Sequence, residues 1–150
     1  MKDLIFIQHA PGAPCLRFFG MGPNLIPLSG VEQLKVLLNK NTSWANHREE
    51  NDIKKMLSGS EIIVSVWKKK NLVGFGRATS DKIYRAVLWD IVVEKKYQKQ
   101  GIGRKIIKSI LSSKLISKVE KIYIMTTKCE TFYSKMGFKS EEFQELMILN

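Results

Sequence analysis

The spacing of apolar and polar residues predicts two helices before and two helices after a central group of strands. In Gly101–Leu115, for example, Ile102, Ile106 and Ile110 recur every four residues, which is typical of a helix with one buried face. Two other predicted helices end at a glycine, one at Gly59 and one at Gly137, as helices commonly do. The predicted helices are 30–40, 47–58, Gly101–Leu115 and Cys129–Met136.

Between the second and third helices the apolar pattern changes to that of strands, with β-branched runs separated by short polar turns. The predicted strands are 4–7, Glu61–Trp67, Leu72–Thr79, Tyr84–Val93, Val119–Met125 and Phe143–Leu149. The nearly continuous apolar run of Tyr84–Val93 predicts burial on both faces. Two helices, a three-strand meander and then βα, βα, β indicate an α+β fold with a mixed sheet around one core.

Length and composition limit the classes of protein that fit. A chain of 150 residues is expected to form one domain, here 1–150, with a Pro- and Gly-rich irregular N-terminal segment over 1–29. The formal net charge of +11 invites a nucleic-acid partner, but 20 of the 25 basic residues are Lys rather than Arg, so none is expected. No long apolar run predicts a membrane partner, and Cys15 and Cys129 form no metal-binding or disulfide pattern. We therefore expect a cytoplasmic protein.

The segment after the Tyr84–Val93 strand carries the clearest chemical signal. Gln98-Lys99-Gln100-Gly101-Ile102-Gly103 leads directly into an amphipathic helix, and its two glycines let backbone N–H groups approach a ligand closely. The N-terminus of a helix also favours an anion, so the loop is suited to phosphate. It is neither a Walker A loop nor a dinucleotide-binding fingerprint, because the required Lys and third Gly are missing.

This loop resembles the acetyl-CoA signature of the GNAT N-acetyltransferases, whose core is [QR]xxGx[GA]. A second segment, Phe132-Tyr133-Ser134-Lys135-Met136-Gly137-Phe138, resembles their FYxxxGF element, 29 residues after Gly103. The resemblance covers about four fifths of the chain and implies the GNAT fold, with a mixed central sheet of six to seven strands and about four flanking helices. Leu72–Asp90 and Met125-Thr126-Thr127 are similar to a cyanobacterial and plastid branch that includes serotonin N-acetyltransferases and plastid protein acetyltransferases. This similarity implies a location in the stroma if the chain is a mature plastid protein.

The resemblance implies acetyl-CoA as co-substrate, with no metal. The pantetheine arm is expected along the backbone of one strand end, the pyrophosphate on the loop with two basic residues beside it, and a further contact after the next strand. Many members have Asn at that last position, where this chain has Thr. The residues so assigned are Ile91, Val92, Val93, Gln98, Lys99, Gln100, Gly101, Ile102, Gly103, Arg104, Lys105, Thr127 and Tyr133.

Two residues are predicted to be catalytic. The resemblance places Tyr133 at the thioester sulfur, where its phenol would protonate the departing thiolate; the alternative is a packing aromatic. Asp90 is the only charged residue between Ala86 and Val93, and a buried carboxylate needs either a partner or a purpose. Asp90 is therefore the first candidate for the general base, and the alternative is an ion pair with Arg77 or Arg85.

The expected reaction is direct acetyl transfer to a primary amine. Trp44 and Trp89 are candidates for lining an acceptor pocket, which favours a small arylalkylamine such as serotonin. A protein lysine or N-terminus is the alternative acceptor, and a catalytically silent CoA-binding module is a third possibility. The sequence leaves a monomer and a homodimer equally open.

Overall fold

The computed structural model describes residues 3–9 and 30–149. Most of the predicted irregular N-terminal segment, including Cys15, lies outside these ranges. The strands are β1 (Leu4–His9), β2 (Ile62–Lys68), β3 (Asn71–Ser80), β4 (Arg85–Val93) and β5 (Lys121–Ile124). The helices are α1 (Gly30–Asn41), α2 (Glu50–Ser58), α3 (Ile102–Leu111) and α4 (Glu130–Ser134), with a 3-10 turn at Lys95–Tyr97.

The described strands form one mixed sheet in the order β1-β2-β3-β4-β5. The pairs β1–β2, β2–β3 and β3–β4 are antiparallel, and short turns connect β2 to β3 and β3 to β4. β5 pairs with β4 in parallel, and helix α3 supplies the crossover that a parallel connection requires. The α+β class and the mixed sheet of the GNAT fold are therefore confirmed.

Each face of the sheet is covered by its own helices, and each interface has its own apolar core. One core joins α3 to the sheet through Ile102, Ile106, Ile107 and Ile110, none more than 1% exposed. Full burial of one such side chain stabilises the fold by about 1.5–3 kcal/mol. The second core joins α1 and α2 to the opposite face and contains Trp67, which is 2% exposed.

A glycine sets the close approach of α3 to the sheet. A Cβ atom added at Gly76 would lie 2.6 Å from Ile106 Cγ2 and 2.7 Å from Ile91 Cδ1, both too close for real atoms. The absence of a side chain at this point of β3 therefore lets α3 pack against the strand. The N-terminus of α3, where the phosphate-type loop ends, is positioned by this contact.

The structure corrects three expectations about strands. The described residues form five strands rather than six to seven, and Phe143–Leu149 is an exposed segment outside the sheet. A β-type pattern becomes a strand only when a neighbouring strand accepts its hydrogen bonds, and no strand pairs with this segment within the described ranges. β4 is not buried on both faces either, because buried and half-buried residues alternate along most of it.

The predicted helices are confirmed with shifted ends. α2 begins at Glu50 rather than at residue 47, and α3 ends at Leu111, four residues before the predicted end. Helix ends are the least certain part of a pattern-based prediction, since the last turn often unwinds. Over the described ranges, no helix combines the length and the apolar character that crossing a bilayer requires.

Candidate active site

The pairing of β4 with β5 stops before β4 ends, because β5 ends first, and the edge left unpaired defines the candidate site. Their parallel pairing runs from Arg85 opposite Lys121 to Leu88 opposite Ile124. Beyond Leu88, the residues 89–93 have no strand partner on that side among the residues that the structure describes. We call this unpaired stretch the open edge of β4. It contains Ile91, Val92 and Val93, whose backbone was assigned to the pantetheine arm.

The direction of one backbone N–H group shows that the open edge can donate hydrogen bonds. The N–H of Glu94 donates to the carbonyl of Val73 on the β3 side at 2.9 Å. Successive N–H groups of a strand point to opposite edges, so the N–H of Val93 points towards the open edge. An extended ligand lying there would meet this donor as it would meet that of a neighbouring strand.

The loop that follows the open edge has the backbone of an anion site. Lys99 and Gly101 have positive φ angles of 61° and 79°, so the backbone adopts the left-handed conformation at two positions before α3. Only glycine adopts the second of these conformations without cost. The N–H of Lys105 donates to the carbonyl of Gly101 at 3.1 Å, so the N–H groups of the preceding turn have no intrahelical acceptor. These groups include those of Ile102 and Gly103 and are suited to a pyrophosphate.

Side-chain hydrogen bonds hold this loop in place. Gln98 donates its Nε2 to the carbonyl of Val93 at 2.9 Å, which connects the loop to the end of the open edge. Gln100 donates to the carbonyl of Lys96 at 3.2 Å, so it closes the loop on itself. The observed role of both glutamine side chains is therefore to shape the loop.

One residue that sequence reasoning missed also supports the loop. The Oδ1 atom of Asn41, the last residue of α1, accepts the N–H of Lys95 at 2.8 Å. Its Nδ2 donates back to the carbonyl of Leu37 at 2.7 Å, which fixes the orientation of the amide. Asn is common at helix ends, and that preference gives no indication of a contact 54 residues away.

The basic side chains beside the loop differ in their surroundings. Arg104 and Lys99 are exposed. Lys105 places its Nζ 5.4 Å from the centre of the Phe6 ring on β1. These basic side chains would therefore attract an anion to the N-terminus of α3 through their positive electrostatic field, without a fixed ion-pair geometry.

Tyr133 is held in α4 by aromatic neighbours. Its ring makes edge-to-face contacts with Phe132 and Phe138, at centroid distances of 5.0 and 6.0 Å. Only 9% of Tyr133 is exposed, and it belongs to the same apolar core as Val93. Burial, with a smaller contribution from the nearby Cys129, raises the pKa of Tyr133 to about 12. The phenol is therefore protonated at neutral pH and able to donate a proton.

A contact between α4 and α3 aligns Tyr133 with the loop. A Cβ atom added at Gly103 would lie 3.4 Å from Cζ of Phe132, the residue before Tyr133. The second glycine of the loop thus lies against α4. This contact explains why a loop motif and an aromatic motif 29 residues apart can serve one site.

Asp90 lies at a β-bulge in β4. Arg77 of β3 pairs with Trp89, but Phe75 pairs with Val92, so the single residue between them on β3 faces two residues of β4. Asp90 is one of the two, and its φ is 53°. The bulge shifts the alternation of side chains by one residue. As a result Asp90 reaches the face covered by α1 and α2, instead of entering the apolar core under α3.

Two arginines bind the Asp90 carboxylate on that face. The Nε of Arg77 donates to Oδ2 at 2.7 Å, and NH1 of Arg48 lies 3.1 Å from Oδ1. Arg77 also contacts Ser60 at 3.4 Å. The Asp90 side chain is only 3% exposed, against 12% for Arg77 and 31% for Arg48. Of the two pairings considered from the sequence, the one with Arg77 is present, whereas Arg85 pairs with Glu120 instead.

Arg48 is the second residue that sequence reasoning missed. It lies in the connection between α1 and α2, 42 positions before Asp90, and no motif marks it. A buried carboxylate predicts a basic partner, but the partner's identity depends on how the connection folds over the sheet.

The remaining candidates lie in three different environments. Trp89 donates its Nε1 to Thr79 at 2.8 Å and has the Arg77 guanidinium 5.7 Å from its ring centre. Trp44 lies between α1 and α2 and is 60% exposed, with no ring contact to Trp89 among the described residues. Thr127 is exposed in the bend after β5. Because β4 and β5 are parallel, their carboxyl ends lie at the same end of the sheet. The bend after β5 is therefore at the end of the sheet where Val93 lies.

Comparison with known proteins identifies the family. The acetyltransferase (GNAT) domain matches residues 59–140, more than half of the chain, so the chain belongs to the GNAT family. It is 34% identical over 91 residues to an uncharacterized N-acetyltransferase, ycf52, of Pyropia yezoensis, covering 57% of this chain and 52% of the relative. It is 32% identical over 74 residues to the histone acetyltransferase TAP1 of Glycine max, covering 49% of this chain and 32% of the relative.

The fold is shared along almost the whole chain with a solved structure. The GNAT family acetyltransferase SP0256 of Streptococcus pneumoniae superposes with a TM-score of 0.72 and 18% identity, covering 98% of both chains. The matched region spans about half, or less, of the length of the two curated relatives.

Proposed function

We propose that the chain is an acetyl-CoA-dependent N-acetyltransferase that transfers acetyl directly to a primary amine. The observation that carries this proposal is the open edge of β4 together with the loop that follows it. The loop leads to the N-terminus of α3, where the first N–H groups have no intrahelical acceptor. Family membership supports acetyl-CoA as the ligand, and the described residues fit it. They offer main-chain donors for the pantetheine arm and the pyrophosphate, and exposed basic side chains around them.

The proposed reaction assigns a task to each buried group. Bound acetyl-CoA supplies a thioester carbonyl, and the lone pair of the amine nitrogen forms the new C–N bond while the C–S bond breaks. The N–H of Val93 donates to the carbonyl oxygen as negative charge develops there. An ammonium group first loses one proton to Asp90, the candidate base, which leaves the lone pair for attack. Tyr133 gives its phenolic proton to the leaving sulfur. The nitrogen loses its second proton after the C–N bond has formed, and a proton from solvent restores the Tyr133 phenol.

We further propose that the amine approaches on the face of Asp90. Both carboxylate oxygens already contact guanidinium groups, Oδ2 through a hydrogen bond from Arg77 and Oδ1 through an ion pair with Arg48, so an incoming ammonium group must replace one of them. Arg48 is the partner that can leave, because it is the more exposed and belongs to a connection rather than to the sheet. Asp90 would then bind the amine and lie on its deprotonation path.

Two aromatic residues support a proposal for the acceptor class. Trp89 and Trp44 favour a small arylalkylamine such as serotonin, the substrate of part of the branch that the sequence resembles. A protein lysine is the second candidate, and the name of the Glycine max relative supports it. Chloroplastic and ycf52 relatives are compatible with a plastid or cyanobacterial setting.

The decisive experiment measures release of the CoA thiol with acetyl-CoA and a panel of amines. We expect release with tryptamine or serotonin, and less with lysine peptides. Release only with peptides would move the proposal to protein acetylation, and no release despite tight acetyl-CoA binding would leave a silent CoA-binding module.

Binding is tested separately with a matched pair of glycine variants. Gly101→Ala forces a side chain onto a φ of 79°, whereas Gly59 has an ordinary φ of −84° at the end of α2. We expect Gly101→Ala to weaken acetyl-CoA binding by roughly 5-fold, corresponding to a backbone cost of about 1 kcal/mol, and Gly59→Ala to leave it unchanged. Equal binding by both variants would contradict the assignment of the loop.

A further inference from the structure

A cavity with a basic lining lies where α1 ends beside β4. Its volume is about 380 Å³, and it is lined by Lys40 and Asn41 at the end of α1 and by Glu94, Lys95 and Lys96 after β4. The three lysine side chains are exposed. Ligand sites commonly have volumes of about 300–1,000 Å³, so this space has the size of a small site. We call it the α1 cavity.

The charges that line the α1 cavity do not cancel. Lys96 pairs with Glu94, with 2.9 Å between Nζ and Oε1. Lys40 and Lys95 have no acidic partner among residues 3–9 and 30–149. Residues 10–29, which lie outside the described ranges, contain no Asp or Glu. The α1 cavity therefore has more positive than negative charge and is suited to an anion.

The end of α1 does not oppose an anion with a row of free carbonyl groups. The carbonyl of Leu37 accepts a hydrogen bond from Nδ2 of Asn41 at 2.7 Å. The carbonyl of Leu38 accepts from the N–H of Thr42 at 2.9 Å and from its hydroxyl at 3.0 Å. The negative charge at the end of a helix comes from carbonyls without partners, and two of the last ones here have partners.

The α1 cavity lies on the face of the sheet that Asp90 reaches. Val92, between Asp90 and Glu94 in β4, belongs to the apolar core under α1 and α2. Asp90 and Glu94 are four positions apart, so at about 3.3 Å per residue they lie no more than about 13 Å apart. The connection between α1 and α2 spans the same interval, from Asn41 at the cavity to Arg48 at Asp90. One acceptor molecule can therefore reach both places.

We propose that the acceptor is a peptide whose acidic side chain occupies the α1 cavity while its primary amine lies at Asp90. This inference rests on the proposed acetyl transfer and concerns the second of its two candidate acceptors, a protein lysine. Two residues of extended peptide span about 7 Å, and the side chains of the lysine and the acidic residue supply the remaining distance. An acidic residue two positions from the acceptor lysine therefore matches the spacing.

Two other anions match the observations less well. The pyrophosphate of acetyl-CoA is assigned to the N-terminus of α3, which packs on the opposite face of the sheet from α1. A nucleic acid carries phosphates but no primary aliphatic amine to place at Asp90. A peptide with a carboxylate and an amine is complementary to both places, one with basic side chains and one with a carboxylate.

The test compares two acceptor peptides that differ only in charge. Each contains one lysine, with Glu two positions before and two positions after it in one peptide and Gln at both places in the other. At saturating acetyl-CoA, we expect the kcat/KM of the unmodified chain to be about 5-fold higher for the Glu peptide, as for two exposed charge pairs. Added salt should reduce this preference, because salt screens exposed charges.

A matched pair of double variants assigns the preference to the α1 cavity. Lys40→Gln with Lys95→Gln removes two lysine charges from the cavity. Lys114→Gln with Lys118→Gln removes two exposed charges before β5, at the opposite end of the sheet. We expect the preference to disappear in the first variant and to remain in the second, with unchanged circular dichroism spectra. Because the preference is a ratio between two peptides, a changed affinity for acetyl-CoA cancels.

The outcomes separate this inference from the proposed function. Equal use of the two peptides by the unmodified chain would overturn the inference, and so would a preference that persists without Lys40 and Lys95 or that disappears equally in the control. Thiol release with serotonin, measured in parallel, would leave the proposed function standing in each of these cases. If no amine gives thiol release, fluorescence anisotropy of the two labelled peptides makes the same comparison without turnover, and equal binding would reject the cavity as an anion site.

Discussion

Tyr133 and Asp90 are both buried ionisable groups beside the open edge of β4, but opposite surroundings hold them. Tyr133 lies among aromatic rings on the α3 face and is kept neutral by burial. Asp90 lies on the α1–α2 face, between two guanidinium groups. Removing only the Tyr133 hydroxyl leaves the ring contacts in place, whereas removing the Asp90 carboxylate leaves two guanidinium groups without their shared partner. The two groups to which we assign proton donation and amine binding are thus supported in different ways.

The largest expected effect tests the donor side of this comparison. Tyr133→Phe removes the phenolic proton and keeps the ring contacts, so turnover should fall by about 10²–10⁴-fold. The acetyl-CoA dissociation constant and the unfolding free energy should change little. Steady-state kinetics with calorimetric binding checks this, with Tyr84→Phe, 59% exposed, as the control. A loss of binding with normal turnover would make Tyr133 a packing residue.

The next largest effect concerns Asp90 and its two arginine partners. Asp90→Ala leaves Arg77 with an uncompensated, largely buried charge, and we expect the unfolding free energy to fall by about 3–5 kcal/mol. Asp52→Ala is the matched control, because Asp52 pairs with Lys55 in the open and its loss should cost less than about 1 kcal/mol. Denaturant titration measures both. Similar stabilities for the two variants would mean that the contacts of Asp90 with Arg48 and Arg77 contribute little to the unfolding free energy.

A smaller effect on the unfolding free energy is expected at alkaline pH, where it tests the environment of Tyr133. The unfolded chain loses the Tyr133 proton near pH 10, whereas the folded chain keeps it until about pH 12. The folded state binds the proton more tightly, so this contribution to stability is complete below pH 10 and is lost as the pH rises to 12. Over that range the unmodified chain should lose about 2 kcal/mol more than Tyr133→Phe. Parallel unfolding curves against pH for the two proteins would contradict the raised pKa.

The smallest expected effect distinguishes the two arginines. Arg48→Ala should cost about 1 kcal/mol of stability, because water can replace a half-exposed partner, and less than Arg77→Ala. If Arg48 occupies the position of the substrate ammonium, its loss should also lower the KM for amines several-fold without raising kcat. Stability and kinetics of both variants provide the measurement. A raised KM in Arg48→Ala would instead make Arg48 a substrate-binding residue.

The parts that the sequence could predict are those fixed by backbone geometry over short distances. The Gln98–Gly103 loop needs glycine at a positive φ and a helix immediately after it, and both requirements are visible in consecutive letters. The bulge at Asp90 needs a mismatch between two strands, and Arg48 needs a folded connection, so neither leaves a local pattern. The error at Phe143–Leu149 has the same origin, since a strand requires a neighbour that the segment's own residues do not specify.

The open edge of β4 has a consequence for how this protein can change over evolutionary time. A ligand recognised through main-chain N–H and C=O groups makes few demands on the side chains that carry them. If acetyl-CoA binds there as we propose, substitutions along this strand would leave its recognition largely unchanged. Selection for a new acceptor would act instead on the side chains of the opposite face, around Asp90, Arg48 and Trp89. The proposed mechanism thus assigns recognition of acetyl-CoA to the main chain of β4 and recognition of the acceptor to side chains.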